Sequence, residues 1–346
     1  MSVDNPTDAA SIPLRWVGPI RLAGPEATGE VEVPLATFET PLWPSVARGA
    51  RVSMATEGIR AVVVDERMTR SVLVEAPNAA EAVRAGADLR RRKPDVAAVV
   101  EKTSRFLKFL DLHVQNAANL LYVRLEGHPG DASGHNMLTR AAEAMLNWIL
   151  REYPALKYVS ISGNYCTDKK PSAVNGILGR GRHVIAELVV PRAVCEKLLK
   201  TTPEKLADLN LKKNLIGTML AGGLRSANAH FANMLLAFYL ATGQDAANIV
   251  EGSQGLTHAE ARGGDLYFSV SIPHLVVGTV GSGKDLAFVR AHLERMGCAG
   301  GGGARRLAIL CAAAVLCGEL SLLAAQTNPG ELMRAHLKLE RKSHRG

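Results

Sequence analysis

Cysteine is scarce, and what there is has no pattern. The five residues Cys166, Cys195, Cys298, Cys311 and Cys317 form neither a paired framework nor a CxxC spacing. That argues against a disulfide scaffold and structural zinc and points to a reducing compartment, with no metal expected. A signal peptide is also missing, since the first residues, MSVDNPTDAAS, are acidic and polar. The most apolar stretch, residues 307–317, is too short to cross a bilayer and runs into Glu319, so it reads as a buried helix. No internal repeat occurs, no nucleic-acid-binding motif accompanies the basic residues, and no GxGxxG Rossmann fingerprint is present. These absences leave a cytoplasmic globular protein as the expectation.

What is present supports a sizeable core. Hydrophobic residues make up 47% of the 346-residue chain and charged ones 21%, and a chain of this length exceeds what one core usually serves, so two structural units are expected. The formal charge of +8 favours anionic partners, among them a phosphate-bearing cofactor. The one dense basic cluster, Arg90, Arg91, Arg92 and Lys93, suits the solvated C-terminal end of a helix.

The spacing predicts an α+β fold. From residue 71 the order is an apolar run SVLVEA, a helical stretch from Asn78 to Arg92, FLKFLDLHV, NLLYVRLEG, a second helical stretch, then LKYVSIS. Strand, helix, strand, strand, helix, strand is the split βαβ or ferredoxin-like order, assigned to a small domain over residues 71–158. In its second helix Met137, Ala141, Ala144, Met145, Trp148 and Ile149 recur on one face before Pro154. Residues 1–70 and 159–346 then form one larger, helix-rich, discontinuous domain. Thr202, Pro203 and Glu204 read as the start of a long helix, with Leu206, Leu209, Ile216 and Leu220 on one apolar face. The glycines at 300–303 read as a flexible joint.

The segment GTVGSGKD at residues 278–285 nearly matches the P-loop GxxxxGK[ST], but Asp285 replaces the hydroxyl that would hold Mg²⁺. The glycines still offer free N–H groups to an anion or a close-lying cofactor. Three polar groups stand out in the apolar chain. SGNYCTDKKPSAVNG, residues 162–176, joins the two expected domains and sets two lysines beside an aspartate; alone, its composition suits a surface turn. Asp245 follows Gly243 at the end of MLLAFYLA, as at a helix C-terminus, where a turn residue is the ordinary reading. Glu39, in VPLATFETPLW, is an acid flanked by apolar residues and so a candidate for a raised pKa, although an ordinary loop carboxylate would look the same.

Taken together, SISGNYCTDKKP, NAHFANMLLAFYLATGQDAANIVEGS, GDASGHNM and VGTVGSGK resemble, in order and spacing, the signature segments of the 3-hydroxy-3-methylglutaryl-CoA (HMG-CoA) reductase family. The resemblance runs from about Val33 to Arg341. It implies an NADPH-dependent enzyme that reduces HMG-CoA twice, through mevaldehyde, to mevalonate in isoprenoid biosynthesis. It implies catalytic roles for Glu39, Lys169, Asp245 and the late His336. It further implies substrate contacts from Arg70, Ser162, Asn164, Asp168, Lys170, Lys213 and Asn233, and CoA contacts from Ser45, Arg48 and Arg51. The cofactor is assigned to Ser104, Arg105, Asp131, Ala132, Ser133, Gly134, His135, Asn136, Gly281 and Gly283, with Arg105 placed to meet its 2′-phosphate. The family also implies a homo-oligomer, a dimer or dimer of dimers, with the site at a subunit interface.

The chain departs from the family in places. Ser133 and His135 stand where its cofactor loop usually has methionines, and the ENxxGY segment that helps dimers form is missing. Only ten residues follow His336, so the extra C-terminal lid of the NADH-favouring class is not expected, and neither is a membrane anchor. Two alternatives remain: a non-catalytic CoA-thioester-binding homologue and a P-loop phosphotransferase.

Overall fold

The computed structural model describes residues 10–331 and Met333. His336 lies outside the described residues.

Among the described residues ten strands organise the fold: β1 (Leu14–Ala23), β2 (Thr28–Ala36), β3 (Arg60–Glu75), β4 (Lys108–Ala117), β5 (Leu120–His128), β6 (Lys157–Ser160), β7 (Gly181–Val190), β8 (Ser226–Ala227), β9 (Gly255–Arg262) and β10 (Asp265–Leu275). β1 and β2 form an antiparallel pair, and the others form one sheet in the order β4-β5-β3-β7-β10-β9-β8, with β6 also on β3. β3 is the hinge of this arrangement. Its residues 60–67 pair with β7, whereas residues 68–75 pair with β5 and the last of them with β6. The strand therefore leaves one set of neighbours and joins another at Arg67 and Met68.

The buried apolar side chains fall into two clusters. One draws on Val17 to Ala61 and Val184 to Ala324; the other draws on Met68 to Leu156, with Val276 added. In the second cluster the helices Ala79–Arg91, Lys93–Glu101 and His135–Glu152 cover one face of the sheet strands, with Leu138, Ala141, Met145, Trp148 and Ile149 buried. Removing such a stripe from water stabilises by roughly 1.5–3 kcal/mol per large side chain. Asn78 starts the first of these helices by accepting the N–H of Glu81 at 2.9 Å.

The first cluster is built around the helix Gly303–Gln326, whose residues are nearly all buried. It is apolar on every side, as a core helix should be, and by length and composition alone it could cross a membrane. It extends well beyond residues 307–317 because Glu319 does not interrupt it. That carboxylate is fully buried and accepts the N–H groups of Ala229 and His230 and the hydroxyl of Thr257. The helix Leu42–Met54 crosses it closely at Gly49, where a Cβ would stand 2.2 Å from the carbonyl oxygen of Cys317. All five cysteines are buried and unpaired.

Three expectations change. The glycines at 300–303 begin the core helix rather than forming a joint: Gly302 is left-handed, and the N–H groups of Gly302 and Ala304 both donate to Asp131 at 3.0 Å. Thr202 does cap the helix Pro203–Leu209, but the winding loosens to a π-helical pitch over Asn210–Gly217. That change of period rotates the apolar face outwards, leaving Ile216 44% and Leu220 84% exposed while Leu206 is buried. In the basic cluster, Arg90 and Arg91 end a helix as expected, but Arg92 pairs with Asp95 and Glu152 over the Trp148 ring and Lys93 pairs with Asp111.

Candidate active site

A polar cleft of about 410 Å³ lies where residues 168–169 and 244–248 face the loops 132–137 and 280–284. Three non-glycine residues of the 162–176 segment are left-handed: Asn164 (φ 59°), Thr167 (φ 41°) and Lys169 (φ 55°). Each costs about 1–2 kcal/mol, and such strain persists only where surrounding contacts over-determine it. The contacts are present. The Thr167 hydroxyl meets that of Ser172 at 2.5 Å, Asn175 donates to the Thr167 carbonyl at 3.3 Å, and the Lys169 N–H donates to Glu251.

Asp245 reaches the cleft from the other side. The apolar helix Phe231–Ala241 stops at Thr242 because Gly243 takes φ 63°, and Asp245 then caps a short turn by accepting the N–H of Ala247 at 3.1 Å. Its Oδ2 stands 2.6 Å from Lys169 Nζ. This hydrogen bond, with further anions nearby, raises the Lys169 pKa above its ordinary value. Partial burial pushes the Asp245 carboxyl up, but the Lys169 ammonium outweighs it and the net shift is downward. Both groups are therefore charged at neutral pH. Arg70, on β3, stands 3.7 Å from Asp168 and donates to the Thr139 hydroxyl at 2.7 Å, so a guanidinium faces the cleft beside the lysine.

The two glycine-containing loops are knitted together. Thr279 donates its N–H to the Asp131 carbonyl at 2.8 Å, Val280 bridges Ala132, and a Cβ on Gly278 would stand 2.4 Å from the Ser133 nitrogen. Gly281 (φ 98°) borders open space in the cleft, whereas Gly283 is packed against the carbonyl of Gly243. Lys284 is only 7% exposed, and its ammonium turns back to donate to that same carbonyl. Burial lowers its pKa to about 8. A lysine held this way cannot reach out to polyphosphate, which removes the P-loop reading.

His135, in the methionine position of the family loop, has its ring in the cleft, 3.3 Å from Asn248 Nδ2, 3.7 Å from Asp168 Oδ1 and 3.4 Å from the Ser133 hydroxyl. Burial, reinforced by Arg180, lowers its pKa to about 4, so the imidazole is neutral.

Thus Arg70, Asp168, Lys169, Asp245, residues 132–136 and Gly281 line one cleft. Other expected residues lie elsewhere. Glu39 is exposed on the loop between β2 and the following helix and does not line the cleft, so the burial on which the expected raised pKa rested is absent among the described residues of one chain. Ser45 bonds Ser321 at 3.1 Å, Arg48 bonds Ser321 and Glu331, and Arg51 is exposed. Ser104 accepts the Phe106 N–H at 3.2 Å, and exposed Arg105 stacks on the Phe106 ring at 4.6 Å. The Asp131 carboxylate is taken up by the core-helix N-terminus. Ser162, Asn164 and Lys170 are exposed beside the cleft segment, while half-buried Lys213 donates to Asn214 and Asn233 faces His230. Sequence reasoning missed Gln244, Asn248 and Lys284, although the first two flank Asp245 in GQDAAN, and it missed the buried Arg180 and Glu251.

Comparison with known proteins gives a consistent picture. A sequence profile described as hydroxymethylglutaryl-coenzyme A reductase matches residues 2–341. The chain is 44% identical to 3-hydroxy-3-methylglutaryl-coenzyme A reductase of Pyrococcus horikoshii, over 98% of this chain and 84% of the relative. It is 43% identical to that of Aeropyrum pernix, over 98% and 82%. Among solved structures, the class II reductase of Streptococcus pneumoniae, bound to NADPH in open conformations, superimposes with a TM-score of 0.74 at 18% identity, over 94% of this chain and 87% of that one. At that identity the likeness shows the fold.

Proposed function

The chain belongs to the hydroxymethylglutaryl-coenzyme A reductase family, and from that premise we propose how its own residues carry out the reaction. The protein is an oxidoreductase acting on HMG-CoA in the mevalonate pathway. The overall change converts a thioester to a primary alcohol and free CoA, which requires two hydrides and two protons.

The observation that carries the reading is the Lys169–Asp245 pair, with Arg70 and Asp168 beside it, in a cleft walled by two glycine-containing loops. Negative charge builds on the substrate carbonyl oxygen at each reduction, and the Lys169 ammonium is the group that stabilises it. Asp245 keeps that ammonium charged and aimed. Arg70 supplies a planar clamp for the carboxylate end of the substrate. His336 protonates the departing thiolate, a task suited to an imidazole acting as general acid. Glu39 gives a proton to the alkoxide of the second reduction.

When bound, NADPH would supply the hydrides. Residues 132–136 and Gly281 would hold its reactive end, since they line the cleft and the space over Gly281 is open. Ser104 and Arg105 would hold its phosphate-bearing end. The small unit built on β3, β4, β5 and β6, over residues 71–158, is read as a ferredoxin-like cofactor-binding domain, because its strand order β6-β3-β5-β4 is that of a split βαβ pair.

Glu39 reaches the cleft from a second copy of the chain. The exposed apolar side chains of Ile177 (71%), Met219 (78%) and Leu220 (84%) support a surface on which two copies could meet. Oxidation of NADPH that depends on HMG-CoA and disappears in Lys169→Ala tests the whole reading.

A further inference from the structure

One buried acid has no part in the chemistry above. Glu251 lies in the short helix Ile249–Gly252 and is fully buried. Burial raises its pKa, while Arg180 holds it down. Its two oxygens divide their work. Oε1 accepts Arg180 Nε at 3.1 Å and Asn248 Nδ2 at 2.9 Å, and Oε2 accepts the backbone N–H of Lys169.

Arg180, 1% exposed, continues the network. Its Nη2 donates to Asp168 Oδ1 at 2.5 Å, and its Nη1 donates to the carbonyl of Thr69 at 2.8 Å, next to Arg70. The result is a closed ring: Asp168 side chain, Arg180, Glu251, the Lys169 amide, and back along the chain to Asp168. At its centre is the left-handed backbone of Lys169. A lysine pays steric strain for that conformation, and the ring is what opposes its relaxation. Moreover, one segment of chain grips Lys169 at both ends, with Asp245 on the ammonium and Glu251 on the amide.

We propose that Glu251 is a positioning residue for both reductions, acting through the Lys169 backbone to hold the ammonium where the substrate carbonyl oxygen develops charge. The inference rests on the assignment of Lys169 above. Misplacing a reacting group by an ångström costs on the order of 100-fold in rate. An acceptor for the Lys169 amide is the element that matters, so Glu251→Gln retains more function than Glu251→Ala.

The experiment compares Glu251→Ala, Glu251→Gln and Lys169→Ala in steady-state reduction of HMG-CoA and of mevaldehyde, with thermal melting of each purified protein. The expected result is kcat lower by on the order of 100-fold in Glu251→Ala for both substrates and about tenfold higher than that in Glu251→Gln, with the NADPH KM within about twofold of wild type. If the alanine variant does not fold because Arg180 is left unpaired, the glutamine variant decides: reduced kcat at unchanged NADPH KM supports the proposal. Wild-type kcat in the folded Glu251 variants, with Lys169→Ala inactive, overturns the positioning role alone. Equal losses in kcat and NADPH KM, tracking the loss of melting temperature, overturn it too by making Glu251 a general stability residue. An active Lys169→Ala overturns the assignment on which it rests.

Discussion

The Lys169 ammonium and the Asp245 carboxylate meet at 2.6 Å across the cleft, one from a left-handed residue and the other just beyond the left-handed Gly243. Their side chains are 39% and 46% exposed, so the pair contributes little to folding, about 0–1 kcal/mol. In the proposed reaction its value lies in holding charge where the substrate carbonyl would be. Asp245→Asn is therefore expected to lower kcat on the order of 100-fold for both HMG-CoA and mevaldehyde, while the thermal midpoint moves little. Steady-state kinetics and melting on the same preparation check this, and a large drop in midpoint would count against the division of roles.

Asp131 behaves differently, because its carboxylate caps the core helix while its carbonyl accepts Thr279 from the second loop. Asp131→Ala is expected to destabilise the protein by about 1–2 kcal/mol, as loss of a helix cap does. It is also expected to raise the NADPH KM more than the HMG-CoA KM, since the anchor of the 132–136 loop goes with it. Denaturant unfolding and the two KM values test the link; a stability loss with both KM values unchanged would detach the cap from the loop.

His135 gives a pH signature. Its folded pKa of about 4 lies below the ordinary 6.5, so between those values the unfolded chain takes up a proton that the folded chain refuses. Stability is therefore lost as pH falls from about 6.5 toward 4, by roughly 2–3 kcal/mol for a shift of this size. Buried His274, also lowered to about 4, works in the same direction, so the comparison must be between variants. His135→Met is expected to flatten part of the slope, read from unfolding free energies at pH 4.5, 5.5 and 7; an unchanged slope would mean that His135 titrates normally.

Arg105 stacks on Phe106 at 4.6 Å on the exposed turn before β4. If its guanidinium meets the 2′-phosphate, Arg105→Ala raises the KM for NADPH at least tenfold more than that for NADH, consistent with losing a charge-assisted contact of about 1.5–3 kcal/mol. Equal effects on the two cofactors would place the phosphate elsewhere.

Local pattern explains what the sequence reveals. The alternation of residues 71–162 is legible because each strand and helix buries one face, and β3, β4, β5 and β6 follow it in order along the chain. Thr202 and Gly243 are legible because caps and left-handed helix ends are local chemistry. The burial expected of Glu39 is not legible from sequence, since apolar neighbours in sequence do not say what covers a side chain in space; among the described residues it is exposed. The loosened winding at 210–217 turns Ile216 and Leu220 outwards, which a fixed helical period cannot anticipate. Lys284 follows a P-loop spacing but bends back to Gly243. Arg180 and Glu251 are invisible in sequence because their partners, Asp168, Thr69 and the Lys169 amide, are brought together only by the fold.

The central claim is that this cleft reduces HMG-CoA twice using Lys169. The most direct test follows NADPH oxidation by the purified protein at limiting HMG-CoA, with mevalonate measured at the end and Lys169→Ala run beside it. The account predicts two NADPH oxidised for each mevalonate formed, and no turnover by the variant. A folded protein that binds HMG-CoA without oxidising NADPH, or a Lys169→Ala variant that turns over normally, would contradict it.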